Sequence, residues 1–154
     1  MVDGEYVQKH KGIPNIAMIG QRLYTGRVVI AESCLIFARS LLAETKAYAD
    51  QKMCWGAANN VQLSSIPQLR SLFQDTEQRL SRLEGFIFTV QDQLAVHLVQ
   101  ATMPPNDLVE AIAAGKVMCS ETAIDICHRL RQEVGSFALM AGSGFERTGE
   151  WVSE

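Results

Sequence analysis

Pro67-Gln-Leu-Arg-Ser-Leu-Phe-Gln-Asp-Thr-Glu-Gln-Arg-Leu80-Ser-Arg-Leu-Glu-Gly-Phe-Ile-Phe-Thr-Val90-Gln-Asp-Gln-Leu-Ala-Val-His-Leu-Val-Gln100-Ala-Thr-Met103 is the stretch on which the fold turns. Leu69, Leu72, Phe73, Leu80, Leu83, Phe86, Ile87, Val90, Leu94 and Leu98 recur at helical intervals and trace one drifting stripe. Arg70, Asp75, Glu77, Arg79, Arg82 and Glu84 mostly fall elsewhere. This rhythm predicts a single amphipathic helix from Pro67 to Met103. Ser65 stands where an N-cap is wanted, Pro67 occupies the first turn where its missing N–H costs nothing, and Met103-Pro104-Pro105 stops the helix. At 1.5 Å per residue such a rod is about 55 Å long, well beyond the roughly three to four turns usual in globular domains.

Outward from this rod, the prolines Pro14, Pro67, Pro104 and Pro105 bound intervals poor in Gly and rich in Ala, Leu, Gln, Glu and Arg. Such intervals favour helix, because those side chains lose little freedom in it. A first helix is predicted from about Ile16 to Met53 and a third from about Asp107 to Val134, with Asn106 or Asp107 as cap and Gly135-Ser136 as the end. Ala111, Ala113, Ala114 and Gly115 are small enough for a neighbouring helix to approach closely. The expected fold is all-α, an up-and-down four-helix-type bundle of long antiparallel helices over residues 16–140. A loose N-terminal segment, 1–15, and an irregular, glycine-rich tail, 141–154, flank it. Val28, Val29, Ile30 and Cys34, Leu35, Ile36, Phe37 nearly encircle the first helix, a surplus that implies oligomer contacts or a companion domain.

The chain has 154 residues, 14 Lys plus Arg and 17 Asp plus Glu, so its formal charge is -3 and its length that of one domain. That balance lacks the cationic footprint from which phosphate-neutralising nucleic-acid binders draw their affinity. The first thirty residues carry charges throughout, and no apolar run reaches the roughly 18 residues a membrane span requires. An intracellular, soluble, cytoplasmic protein is expected. Cys34, Cys54, Cys119 and Cys127 form no CxxC pair and read as buried small hydrophobes in a reducing compartment.

Residue chemistry alone is sparing. Asp125-x-x-His128 has the carboxylate–histidine spacing of a metal-binding bundle once, but a second such pair is absent, so no metal site is expected and His128 reads as a polar residue at a helix surface. His97 reads as a hydrogen-bonded residue near the core. No GxSxG elbow is present, and Gly142-Ser-Gly-Phe-Glu-Arg is not GxGxxG. No catalytic residue is identified.

Three pieces, in order and at their mutual distances, carry a family resemblance. They are Tyr24-Thr-Gly-Arg-Val-Val-Ile-Ala-Glu, continuing to Ala-Tyr48-Ala-Asp-Gln-Lys52-Met-Cys-Trp55-Gly56; Leu63-Ser-Ser-Ile-Pro-Gln-Leu-Arg-Ser-Leu; and Ala114-Gly-Lys116-Val-Met-Cys-Ser-Glu, leading to Cys127-His-Arg-Leu-Arg-Gln132-Glu-Val-Gly135-Ser136-Phe-Ala-Leu. Together they resemble, over about residues 16 to 146, the C-terminal all-α domain of the flavin-dependent acyl-CoA dehydrogenases and acyl-CoA oxidases. In that family the bundle builds an oligomer core and touches FAD between subunits. The resemblance implies Lys52, Cys54, Trp55, Gln132, Gly135 and Ser136 as cofactor-binding positions, FAD as cofactor, and a homo-oligomer. It implies acyl-CoA α,β-desaturation in fatty-acid metabolism for the full enzyme.

Read without the family, Lys52 caps a helix C-terminus, Trp55 anchors a core and Gly135 ends a helix. The sequence departs from the family pattern too. Lys52 stands for an arginine and loses its planar fork, and Ser136 and Ala138 stand for signature glycines. The family's catalytic glutamate lies either beyond this chain's last residue or, in a minority, where Gly26 stands. The expectation is therefore a chain that neither turns over nor retains FAD alone. The alternative is a degenerate helical bundle serving as an interaction or scaffold module.

Overall fold

A computed structural model describes residues 13–55 and 60–140, with side chains over 21–53 and 61–136. Helix α1 (Ile13–Gln51) leads into a two-stranded antiparallel hairpin, β1 (Met53–Trp55) and β2 (Asn60–Gln62), then a 3-10 turn at Leu63–Ser65, helix α2 (Pro67–Gln100) and helix α3 (Asn106–Met140). The all-α expectation holds. Among the described residues the bundle has three helices, where a four-helix type was expected.

The stripe read from the sequence is the face α2 buries: Leu69, Leu72, Phe73, Leu80, Ile87, Val90 and Leu94, together with Thr76. Leu83 and Phe86 pack partly against it, and Leu98 falls outside. On α1 the buried positions Val28, Ala31, Leu35, Ala38 and Leu42 alternate large with small. On α3 they are Leu108, Ile112, Cys119, Ala123, Ile126, Leu130 and Val134. Alternation lets the layers interdigitate, and α1–α3 is the broadest of the helix contacts.

Cross-helix pairs set the directions. Glu32 meets Gln91, while Arg39 meets Glu84 and Glu77, so α1 and α2 are antiparallel. Arg79 bonds Asp125 and Arg129 bonds Asp75, so α2 and α3 are antiparallel too, which leaves α1 and α3 parallel. Gly115 is the tight point. A Cβ there would stand 3.0 Å from Ile87 Cδ1 and 3.1 Å from Phe86 Cε1. This is the close approach its size predicts.

The helix ends differ from the sequence reading. α2 stops at Gln100 because Ala101 turns left-handed, with φ 52° and ψ 37°. Thr102 N–H then donates to the His97 carbonyl at 3.0 Å, closing the last turn before the prolines act. The first helix starts at Ile13 and ends at Gln51, two residues short of the predicted Met53. The third runs through Gly135-Ser136 to Met140, because Gly135 is itself buried and packing outweighs glycine's helix penalty. Ser65 is not the N-cap: Ile66 takes that place, and the Ser65 hydroxyl donates to the Gln62 carbonyl at 2.7 Å. Residues 13–15, read as part of a loose segment 1–15, belong to α1, while residues 1–12 and the tail 141–154 lie outside the described residues.

Candidate functional site

The cofactor positions implied by resemblance fall on two elements at one end of the bundle. Lys52 is the first residue past α1. Its N–H donates to the Tyr48 carbonyl at 3.1 Å, and its carbonyl accepts from Leu63 N–H at 2.9 Å. Leu63, fully buried, pins the hairpin base to the core, and the Gln62 side-chain amide donates to the Asp50 carbonyl at 3.2 Å. The register that follows pairs Met53 with Gln62, Cys54 with Val61 and Trp55 with Asn60. Cys54 and Trp55 are thus strand residues; their side chains lie outside the described set. The hairpin itself left no trace in the sequence, since three-residue strands are too short to show a period.

Lys52 is exposed, its ammonium 5.7 Å from the Tyr48 ring centroid, a cation–π distance. Among the described residues it has no carboxylate partner within ion-pair range. Strand β1 packs against α3, the helix carrying the other group. There Gln132 is exposed, Gly135 is buried and Ser136 is exposed. The Ser136 hydroxyl donates to the Gln132 carbonyl at 2.6 Å.

A dinucleotide's pyrophosphate needs cations and N–H donors at an open edge. Lys52 carries a cation and Gln132 an amide donor, both exposed, whereas Gly135, though without a side chain, is buried. Ser136 fits less well, because its proton is already committed to its own helix.

Beside this end lies a polar cleft of about 490 Å3 that sequence spacing could not reveal. Lys46 and Asp50 of α1 line it with Arg70 and Glu77 of α2. Glu77 accepts from Lys46 Nζ at 3.1 Å and from Arg39, and these two cations hold its carboxyl below the usual range. The Arg39 guanidinium is pushed up in turn, first by its bonds to Glu84, then by Glu77.

A second groove, about 550 Å3 and mostly apolar, runs between α1 and α3, walled by Ile30, Phe37, Ala123 and Ile124 with Cys34 and Cys127 at half-buried positions. Of the four cysteines read as buried, Cys119 beneath is fully buried, Cys34 and Cys127 are only half-buried because they open onto the groove, and the Cys54 side chain lies outside the described residues. Burial, then the nearby Cys34, pushes the Cys119 thiol up to about 11. His97 is half-buried, its Nδ1 2.9 Å from Thr102 Oγ1, and His128 is exposed on α3, both as read.

Residues 16–152 match the family model described as "Acyl-CoA dehydrogenase, C-terminal domain". The chain belongs to the acyl-CoA dehydrogenase family. No curated protein and no solved structure matches it. In this acyl-CoA dehydrogenase domain Gly26 is an exposed glycine of α1 with no neighbour within 4 Å of a Cβ built on it. Glycine has no group to take a proton. Among the described residues no helix is long and apolar enough to cross a membrane.

Proposed function

We propose that this chain works as the C-terminal helical domain of a flavin-dependent acyl-CoA dehydrogenase or oxidase, supplying one edge of an FAD site and oligomer contacts, without catalytic turnover of its own. The family match over residues 16–152 carries the reading. Lys52 and Gln132, free-standing donors on β1's approach and on α3, support the cofactor part of it. Lys52 would meet a phosphate oxygen as a point charge, and Gln132 would donate a hydrogen bond beside it. When bound, the flavin supplies the hydride acceptor for acyl-CoA α,β-desaturation in fatty-acid metabolism.

The test is flavin binding and acyl-CoA oxidation by the purified chain, alone and mixed with dehydrogenase-type helical and β domains. Alone it is expected to show neither. Combined, it should hold FAD, and Lys52→Ala or Gln132→Ala should weaken that binding at least several-fold. Turnover by the chain alone, or no flavin uptake in the mixture, would defeat the proposal.

A scaffold reading is favoured by one observation, the Ser136 hydroxyl spent on its own helix where the family keeps a glycine. It predicts self-association with no FAD affinity in any mixture.

A further inference from the structure

The α1/α3 groove joins two properties that the function proposed above leaves unused, apolar walls and thiols. Ile30 and Phe37 stand one turn before and one turn after Cys34 on α1, and Ile124 lines the same groove from α3. These three apolar side chains are 46% to 59% exposed, so the walls have surface left to give up to a ligand. An apolar chain lying along the groove therefore crosses the half-buried Cys34. Cys127, also half-buried, has Ile124 one turn before it but the exposed Arg131 one turn after, so the apolar strip ends there. Cys119 is fully buried.

The other polar groups of the groove are spent or solvated. The Ser33 hydroxyl donates to the Val29 carbonyl at 2.8 Å, and the Ser120 hydroxyl donates to the Lys116 and Val117 carbonyls at 2.9 and 3.0 Å. A hydroxyl has one proton, so neither serine has one left for a ligand. His128 is exposed and meets a ligand where water does. This decides between two reactions of a thiol with an apolar carbonyl compound. Acyl transfer gathers charge on one tetrahedral oxygen and relies on fixed donors shielded from water, which these groups do not supply. Conjugate addition asks only that a thiolate reach the β-carbon, because the charge spreads over an enolate.

We propose that the α1/α3 groove is a covalent capture site for apolar α,β-unsaturated carbonyl compounds, with Cys34 as the nucleophile. The chain of the ligand lies over Ile30, Phe37 and Ile124, and burying its methylenes holds the double bond beside the sulfur before reaction. The Cys34 thiol gives its proton to water and its sulfur bonds to the β-carbon. The π pair of the double bond passes into the enolate, and water returns a proton to the α-carbon. In sum S–H adds across C=C, with no oxidant, reductant or leaving group. The site goes beyond the function proposed above and makes no use of flavin.

The experiment is adduct formation on the native, full 154-residue chain at pH 8, read by intact mass and peptide mapping. Two enones are compared, one carrying a hexyl chain on its β-carbon and its methyl homologue, each rate being divided by that of N-acetylcysteine. At Cys34 the hexyl enone is expected to be at least tenfold faster on this scale. Its rate should level off with concentration, while the methyl rate stays proportional. Phe37→Ser, at an exposed position, should slow the hexyl enone at least fivefold and leave the methyl rate unchanged, with helicity by circular dichroism retained. Cys34→Ser should remove the fast adduct and Cys127→Ser should keep it. Equal normalised rates for the two enones, a hexyl rate that never levels off, or faster capture at Cys127 would each overturn the proposal. So would a Phe37→Ser variant as fast as wild type, or a Cys34 modified only after denaturant is added, which means that another surface covers the groove. None of these readouts uses flavin, so the capture site can fail while the cofactor proposal stands, and the reverse.

Discussion

Arg39 on α1 grips Glu84 on α2 with two parallel bonds, Nε to Oε1 at 2.9 Å and Nη2 to Oε2 at 2.8 Å. Its remaining terminal nitrogen goes to Glu77, which also holds Lys46, so a pair of helices is tied by a connected set of charges. The geometry is the guanidinium fork, which an ammonium cannot reproduce. The side chains keep 33% and 41% exposure, so solvent screening limits the worth of the tie. Arg39→Lys is expected to cost about 0.5 kcal/mol and Arg39→Ala about 1 kcal/mol, the latter including lost stem packing. Urea unfolding midpoints at constant slope check both.

The same cluster sets an acid limb. Glu77's folded pKa is lowered from 4.5 by Lys46 first and Arg39 second. A depressed carboxyl pKa gives stability that is present above the unfolded value and lost as pH falls through the folded one. Stability should therefore drop as pH falls from about 5 into the region below Glu77's unfolded pKa. Glu77→Gln should be less stable than wild type at pH 7 and show a smaller acid-induced loss. An equal pH slope in both proteins would contradict the assignment.

Glycines on the three helices should respond with opposite signs. Gly26 and Gly85 have nothing within 4 Å of an added Cβ. Alanine there removes glycine's backbone freedom at no steric cost, for a gain of about 0.5–1 kcal/mol each. At Gly115 the added methyl meets Ile87 Cδ1 at 3.0 Å and Phe86 Cε1 at 3.1 Å. Displacing those side chains costs about 1–3 kcal/mol, more than helix propensity returns, so Gly115→Ala should lower stability. Thermal unfolding of the single variants decides it.

How much of this was visible in the sequence follows from the range of each interaction. The buried face of α2 was legible because its stripe repeats without a break from Leu69 to Leu94. The close approach at Gly115 was legible because the small residues Ala113, Ala114 and Gly115 follow one another there. Helix ends were not, since Ala101's left-handed turn is a backbone event and α3's passage through Gly135 depends on burial. Arg39 and Glu77 sit 38 residues apart, so no local spacing announces them. The candidate cofactor positions came from resemblance alone. What the structure adds is that Lys52 lies between the end of α1 and β1, the strand that packs against α3, the helix of Gln132 and Gly135.

Cys119 should behave as the least reactive described thiol. It is fully buried, and burial followed by Cys34 raises its pKa from 9.0 to about 11, so the nucleophilic thiolate is suppressed near neutrality. Half-buried Cys34 and Cys127 open onto the α1/α3 groove. In native protein at pH 8, iodoacetamide followed by mass mapping should label those two and leave Cys119 unmodified until denaturant is added. Because the folded pKa is the higher one, Cys119's contribution is complete below about pH 9 and fades as pH rises towards 11. Cys119→Ala should flatten that alkaline loss.

Ala101 is the one non-glycine residue with positive φ among the described residues. It closes α2 in the left-handed region, where a Cβ crowds the following carbonyl and only glycine rests without strain. Its N–H reaches the Leu98 carbonyl at 3.4 Å, and Thr102 completes the cap through His97 O. The relief from removing the Cβ is about 1 kcal/mol, set against glycine's extra freedom in the unfolded chain. Ala101→Gly is therefore expected to stabilise the protein by about 0.5 kcal/mol, and Ala101→Val to destabilise it by more than 1 kcal/mol, since branching at Cβ worsens the clash. Both changes should leave the His97–Thr102 contact in place, which hydrogen exchange at the Thr102 amide can report: slower in the glycine variant, faster in the valine one.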